Sequence, residues 1–427
     1  MGGFGWRGVW RALVLLAALA FTAPVLAQPA PAPGPGPMLS AGHPVDWWFA
    51  YKFNSSSFPS TLAPQQTCRF GGEAQTKAFS QHYALASSAD PVLTPGGDDI
   101  GESPADPLGA TFAQVWEGGL NYVVWNDQLY DHPKVKGGGN WGHSKGLLAW
   151  NDAGEGFILQ VTTPSWPGSA SAAFPRIGSG NTLGCIVQPN NLSNAQHFFA
   201  LRLTHEDLLE VLDALANASV ITADPALGDL AADDPSAREA HQLIRNGGPA
   251  DVRERVDRLG TRSKSKALTA VTLSSGVMLI SKPSDLNAPP WQLVSALLGV
   301  PMRTATWWAS PRIASAHAGA PACWAEGLAA PGEVQVATTG HWEGKTISLI
   351  GGANHAKLGV SLDPARPYVV FGDMNQQGTL AAKARSKAGC ASSQNGRGGL
   401  FFVLENAPLA TGLTELMSGD TAAFDAP

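Results

Sequence analysis

Apolar residues come in short runs rather than long helical stripes. VDWWFAYKFN at 45–54, NYVVWND at 121–127, KGLLAW at 145–150 and FILQV at 157–161 lie in the first half of the chain. AVTLSSGVMLIS at 270–281, KTISLIG at 345–351, KLGVSL at 357–362 and GLFFVLEN at 399–406 lie in the second. Runs of this length, rich in aromatic and β-branched residues and bounded by Gly, Pro, Asn and Asp, predict strands. Helices are interspersed. THEDLLEVLDALANAS at 204–219 has apolar positions at helical spacing, Thr204 as N-cap and acidic residues in its first turn. PPWQLVSALLG at 289–299 carries proline at its start and glycine at its end. The chain therefore predicts a mixed α/β (α+β) protein. Its strand-rich halves, 45–219 and 267–427, are separated by a charged, aromatic-poor segment at 220–266, expected to be a connecting or peripheral helical insertion.

Two of the runs predict hairpins. After 145–150 the polar NDAGEG at 151–156 turns the chain and FILQV returns it, and after 357–362 the turn is Asp363-Pro364-Ala365-Arg366-Pro367. Folding the second hairpin about Ala365 sets His355 opposite Asn375 and Lys357 opposite Asp373. In the first, Lys145 is set opposite Thr162 and His143 opposite Pro164. A slip of one residue would turn every partner to the other face.

Each hairpin opens with the same triplet, His143-Ser144-Lys145 and His355-Ala356-Lys357. In an extended strand, residues i and i+2 share a face, so each triplet presents an imidazole beside an ammonium. Composition alone predicts roughly 0.3 His-x-Lys triplets in such a chain. Three occur, and the third, His132-Pro133-Lys134, sits among glycines in YDHPKVKGGGNWG and reads as a loop. One copy per half predicts two related lobes sharing one active site. The chemistry it suits is phosphoryl transfer without a metal or other cofactor, in which lysines stabilise the non-bridging oxygens and imidazoles attack phosphorus or move protons. His143, Lys145, His355 and Lys357 are the expected catalytic residues, supported by Asp373, Asn375 and Thr162. Asn126, Asp127 and Gln128, in WNDQ, fit a polar turn and a reach into the site equally well and are not counted among the catalytic residues, and Trp47, Trp48 and Trp141 read as core rather than base-stacking residues.

The net charge of −6 is awkward for a protein that binds a polyanion, but protonation of its ten histidines would carry it to about +4. An acidic optimum is therefore expected. Arg262, Lys264 and Lys266 read as a solvated charge run, whereas Lys383, Arg385, Lys387 and Arg397, downstream of the second triplet, are better placed to contact substrate. Residues 1–27 have the basic, apolar and small-residue regions of a secretory signal cut after Ala27, too short in their uncharged stretch to span a membrane. An exported protein without stable membrane association is expected, with a disordered Pro-rich leader at 28–44. Four cysteines allow three pairings, and the one that keeps each bond within a lobe is Cys68 with Cys185 and Cys323 with Cys390. Their spacing is unlike that of a zinc site.

VDWWFAYKF at 45–53, WNDQ at 125–128, GHSKGLL at 142–148, GNTLGC at 180–185, NHAKLGV at 354–360 and GDMN at 372–375 together resemble the DNase II family of acid endonucleases. The resemblance implies a variant of the phospholipase D fold. Two lobes, each a central sheet flanked by helices, would meet at a pseudo-twofold active site. It implies a metal-independent nuclease that leaves 3′-phosphate ends through a phosphohistidine, with His143 and His355 as nucleophile and acid and Lys145 and Lys357 as their companions. The chain departs from the family where an acidic residue is usual eight positions after the first histidine, since Asn151 stands there, while Asp363 fits. The family's terminal cysteines are also only partly matched. Two other readings share these residues: a phospholipase D-like enzyme acting on lipid, which needs an apolar groove, and a non-catalytic anion-binding module, for which arginine would serve better than imidazole.

Overall fold

A computed structural model describes residues 34–60, 78–97, 99–117, 119–128, 141–164, 166–167, 183, 190–222, 244–382 and 389–424. The signal at 1–27, the loop triplet at 132–134, Cys68, Cys185, Lys383, Arg385 and Lys387 lie outside the described residues.

Each half of the chain builds one sheet. The first half contributes β3 (Trp47–Lys52), β4 (Tyr83–Ser87), β5 (Thr94–Pro95), β6 (Asn121–Asn126), β7 (Lys145–Trp150), β8 (Gly156–Val161) and β9 (Gln196–Leu203), joined by β10 (Ile244–Arg245) from the connecting segment, in the spatial order β10-β6-β7-β8-β9-β3-β4-β5. The second half contributes β11 (Thr269–Thr272), β12 (Met278–Lys282), β13 (Met302–Ala305), β14 (Val334–Val336), β17 (Leu358–Ser361), β18 (Tyr368–Gly372) and β19 (Gly399–Glu405), in the order β11-β12-β19-β18-β17-β13-β14. Strands β15 (Thr339–Trp342) and β16 (Lys345–Ser348) form a separate hairpin. Five strands take the same arrangement twice: β6-β7-β8-β9-β3 matches β13-β17-β18-β19-β12, with every neighbour antiparallel. In both, the earliest of the five strands in the chain pairs with the last.

Strand periodicity explains how the sheets are covered. Leu148, Trp150, Ile158 and Phe199 on one face join Leu358, Val360, Phe371 and Phe402 of the other sheet in one cluster. The alternate residues Leu147, Ala149, Phe157 and Leu159 pack with Leu108, Phe112 and Val115 of the helix Pro107–Glu117. On the far side of the second sheet, Ile280, Val370 and Phe401 pack against Trp291 and Val294 of the helix Pro290–Leu298. Both faces of each central strand are thus buried, which is why the strands read as nearly continuous apolar runs.

The helix His205–Asn217 starts where its sequence signals place it. The Thr204 hydroxyl accepts from the Asp207 amide while the Asp207 carboxylate accepts from the Thr204 amide, a reciprocal capping box. The helix Pro290–Leu298 stops at Gly299, whose φ of 61° suits glycine. Both hairpins form, each one residue out of the expected register. Gly146 pairs with Gln160 rather than Val161, and Leu358 with Phe371 rather than Gly372. The turns are the cause. In the first, the Asn151 amide reaches Glu155 O at 2.9 Å across a loop containing Gly154 at φ 83°. In the second, the Arg366 amide closes on Asp363 O at 3.0 Å, so the chain turns between Pro364 and Ala365 and not about Ala365. Asn151 supplies what an acidic residue would, since its Oδ1 accepts from the amides of Ala153 and Glu155, as Asp363 Oδ1 accepts from Ala365.

Two flanking segments carry more structure than their composition indicated. Within the expected disordered leader, Met38–Ser40 (β1) and His43–Pro44 (β2) pair. Met38 N donates to Thr111 Oγ1 and Gly36 N to Gln114 Oε1, so polar side chains of the helix Pro107–Glu117 satisfy the leader's backbone. In the segment 220–266, Ala250–Asp257 is helical as expected, but Ile244–Arg245 adds an edge strand to β6. Cys323 and Cys390 form a disulfide. Among the described residues no helix is long and apolar enough to cross a membrane.

Phe371 is fully buried and stacks on Phe49 and Phe199 of the other sheet, with ring centroids 4.6 and 4.4 Å apart. Truncation to alanine is expected to cost about 3–5 kcal/mol, read as a lower urea midpoint. An unchanged midpoint would mean that the two sheets do not depend on this shared core.

Candidate active site

The two triplets meet. One cleft is lined by Gln128, His143, Lys145, Thr162 and Pro164 from the first half and by Trp307, His355, Lys357 and Asn375 from the second. His143 and His355 are each 7 % exposed and Lys145 and Lys357 each 3 %, so all four groups lie at the floor of the cleft with only their tips accessible.

Each histidine is anchored through its backbone to the other half. The His143 amide donates to Gly398 O and the His355 amide to Ala195 O, both at 2.7 Å. The first contact needs glycine, because a Cβ on Gly398 would lie 2.0 Å from Ala218 O. The His143 ring is fixed as well: its Nδ1 lies 2.7 Å from Asp373 O. A carbonyl only accepts, so Nδ1 carries the hydrogen and, in the neutral ring, Nε2 carries the lone pair. The His355 ring stands edge-to-face against Trp307, with centroids 4.2 Å apart.

The lysines differ in what holds them. Lys145 Nζ donates to Asp127 Oδ1, and Arg397 donates to Asp127 Oδ2 at 2.7 Å. Lys357 Nζ donates to the carbonyl of His355. The Lys357 amide donates to His197 Nδ1 at 3.2 Å, which leaves the hydrogen of neutral His197 on Nε2, 3.5 Å from Gln160 Oε1. Gln160 Nε2 donates in turn to Asp373 Oδ1 at 3.0 Å, and the Leu400 amide to Asp373 Oδ2. A buried chain of polar contacts thus links the Lys357 backbone to the residue whose carbonyl holds His143.

Electrostatics follow from burial and from the cations. Burial first, and Lys145 second, push the His143 pKa well below its ordinary value, and burial followed by Lys357 and Lys145 does the same to His355. Burial and then Lys145 lower Lys357. For Asp127, burial alone would raise the pKa, but Lys145, Arg397 and His143 outweigh it and hold the carboxyl well below the usual range. Asp373 is raised to about 6 by burial. The free cleft therefore concentrates positive charge that an incoming anion would relieve.

Thr162 and Asn375 line the cleft. Asp373 is adjacent but acts differently from expectation, offering its carbonyl and not its carboxylate to an imidazole. Arg397, expected to contact substrate, is 8 % exposed and committed to Asp127 and to the carbonyls of Trp141 and Gly142. Asp127, for which the sequence leaves a polar turn and a reach into the site equally open, is the counter-charge for Lys145. Nothing local marked His197, Gln160 or Trp307, which reach the site only through the packing of the sheets. Trp47 and Trp48 are core residues. Among the described residues no three His, Cys, Asp or Glu side chains gather as a metal-binding cluster.

The family model described as deoxyribonuclease II matches residues 38–417. No curated protein matches the chain.

Replacing Asp127 with asparagine leaves two buried cations without their carboxylate, an expected loss of about 3–5 kcal/mol near neutral pH. Because the carboxyl is depressed in the fold, its stabilisation is complete above the unfolded carboxylate value and is lost as the pH falls. Chemical denaturation should show the gap between wild type and variant narrowing below about pH 4; a gap independent of pH would refute the ion-pair assignment.

Proposed function

The chain belongs to the deoxyribonuclease II family, and we propose that it hydrolyses DNA at the cleft between His143 and His355, without a metal, through a phosphohistidine. Membership of the family implies a hydrolytic nuclease or phosphodiesterase with DNA as substrate. The observation that carries the finer reading is the convergence of two imidazole-ammonium pairs, one from each half, on a single cleft. The Lys145 and Lys357 ammoniums would receive the non-bridging oxygens, where charge is concentrated in the transition state.

The unequal surroundings of the two rings support a division of labour. His143, held by Asp373 O with its lone pair on Nε2, is oriented as a nucleophile. His143 Nε2 attacks phosphorus, forming the P–N bond, and the O5′ leaving group departs with a proton from His355. Neutral His355 then takes a proton from water, whose oxygen attacks phosphorus and breaks the P–N bond to release a 3′-phosphate. His355 must be protonated for the first step, and its pKa is lowered. It holds its proton only in acid, which favours an acidic optimum. The disulfide and the absence, among the described residues, of a membrane-spanning helix are consistent with an exported protein.

Plasmid nicking from pH 4 to 8 in excess EDTA tests the reading. Activity should resist EDTA, rise as the pH falls with its alkaline limb centred below about 6.5, and disappear in His143→Ala and His355→Ala. An absolute need for Mg²⁺ ends the proposal. The roles separate with thymidine 3′-(p-nitrophenyl phosphate), whose leaving group needs no proton. His355→Ala should release a burst of p-nitrophenol and retain phosphate on His143, whereas His143→Ala should release none; the reverse pattern exchanges the two assignments.

A further inference from the structure

Two lysines outside the cleft occupy matching places in the two sheets. Lys52 ends β3 and Lys282 ends β12, strands that correspond in the repeated five-strand order. Both are 0 % exposed. Among the described residues neither is paired with a carboxylate; each ammonium spends its hydrogens on main-chain carbonyls. Lys52 Nζ donates to Phe53 O at 3.0 Å, Leu192 O at 3.0 Å and Asn194 O at 2.7 Å. Lys282 Nζ donates to Pro283 O at 3.4 Å, Asn395 O at 2.8 Å and Arg397 O at 2.8 Å. Burying a charge is costly, and an ammonium with three donors is an expensive way to satisfy carbonyls unless their positions matter.

Those positions bear on the cleft. The segment clamped by Lys52 leads directly to Ala195, whose carbonyl holds the His355 amide, and the segment clamped by Lys282 leads to Gly398, whose carbonyl holds the His143 amide. Each lysine thus holds a carbonyl, Asn194 O or Arg397 O, that is one residue along the chain from the acceptor that anchors the opposite half's histidine. We propose that Lys52 and Lys282 are paired positioning residues, Lys52 fixing His355 and Lys282 fixing His143 across the junction of the two halves. This rests on the assignment of both histidines to catalysis. Lys52 is also among the groups that lower the His355 pKa, which places it within electrostatic reach of that ring. Burial lowers both lysines to about 7, so both are charged in acid, where the enzyme is proposed to act.

The test is a cross pattern. In ¹⁵N-histidine spectra recorded below each protein's melting temperature, Lys52→Met should move the imidazole signals of His355 and spare those of His143, and Lys282→Met should do the reverse. In the same proteins kcat should fall roughly 10²-fold with KM nearly unchanged, as expected for misplaced reacting groups. Variants that move both histidines equally, or that fold and keep wild-type kcat, overturn the proposal. If the methionine variants fail to fold, Lys→Gln, which keeps two N–H donors, is expected to restore folding and the same cross pattern. Amide exchange in the wild type stands apart from any variant: the His143 and His355 amides should exchange as slowly as those of the adjoining strands, and exchange at loop rates counts against the clamp. The spectroscopic arms need no turnover, so a wild type that fails to cut DNA sinks the nuclease reading without deciding this one.

Discussion

Two hydrogen bonds that cross between the halves, His143 N–H to Gly398 O and His355 N–H to Ala195 O, are the constraint on which the cleft depends. Each triplet begins just outside a sheet, where strand pairing no longer dictates its path. Without an acceptor from the other half, neither imidazole would have a defined height above the sheet edge. With one, the separation of the rings is set by the packing of two sheets around a common apolar cluster, and that packing is stiff because protein interiors are close-packed. The repeated five-strand order makes the arrangement reciprocal. The same strand position supplies the histidine in each half, and the same position supplies the acceptor.

The cleft then faces an electrostatic problem. It buries Lys145, Lys357 and Arg397 close together, with Asp127 tied into ion pairs and Asp373 raised toward neutrality. Buried like charges repel, and the depressed pKa values of Lys357 and both histidines express that repulsion together with desolvation. A phosphodiester carries the charge that the cleft lacks. On the proposed reading the free enzyme holds this site in a state that substrate relieves, so the strongest interactions are available where negative charge develops on phosphorus oxygens. This also resolves the awkwardness of a chain with net charge −6 acting on a polyanion. The cations that matter are concentrated at the floor of one cleft, and the surface balance governs only approach.

Much of this was legible in the sequence, and the failures are instructive. Hairpins, the capped helix at Thr204 and the proline-to-glycine helix at 290–299 were visible because their signals are local: periodicity, caps and turns. Register was missed by one residue in both hairpins because it depends on which turn hydrogen bond closes, and neither composition nor period distinguishes Asp363–Arg366 closure from a pivot on Ala365. The meeting of His143, Lys145, His355 and Lys357 in one cleft was legible because a repeated triplet is improbable by chance. Asp127 was left open between a polar turn and a reach into the site, since a carboxylate in a turn-like WNDQ looks like any solvated residue until Lys145 and Arg397 are seen on either side of it. Arg397 erred in the opposite direction: a basic residue downstream of the second triplet reads as a phosphate contact, whereas its guanidinium is consumed in holding Asp127. His197, Gln160 and Lys282 belong to apolar or mixed strands, where a polar residue on a buried face carries no local mark of its partner.

The repeat explains convergence, but the chemistry proposed at one phosphorus atom requires the halves to differ. If both imidazoles had identical surroundings they would share one proton affinity, and no pH would favour a neutral nucleophile beside a protonated acid over the other three combinations. The structure departs from symmetry at the groups that set this affinity. His143 donates to a main-chain carbonyl and is within electrostatic reach of Asp127, whereas the His355 ring stands edge-to-face with Trp307. Both rings are depressed by burial, but only His143 has a carboxylate, Asp127, working against that depression. In the free protein burial and Lys145 outweigh that attraction, so both rings are kept short of protons until substrate arrives. On the proposed reading, a phosphate seated with its leaving oxygen beside His355 favours a proton there, because the negative charge nearest His355 is then the one created as the bond breaks. On that reading the division of labour is set by how substrate is seated, within the frame that the repeated strand order supplies.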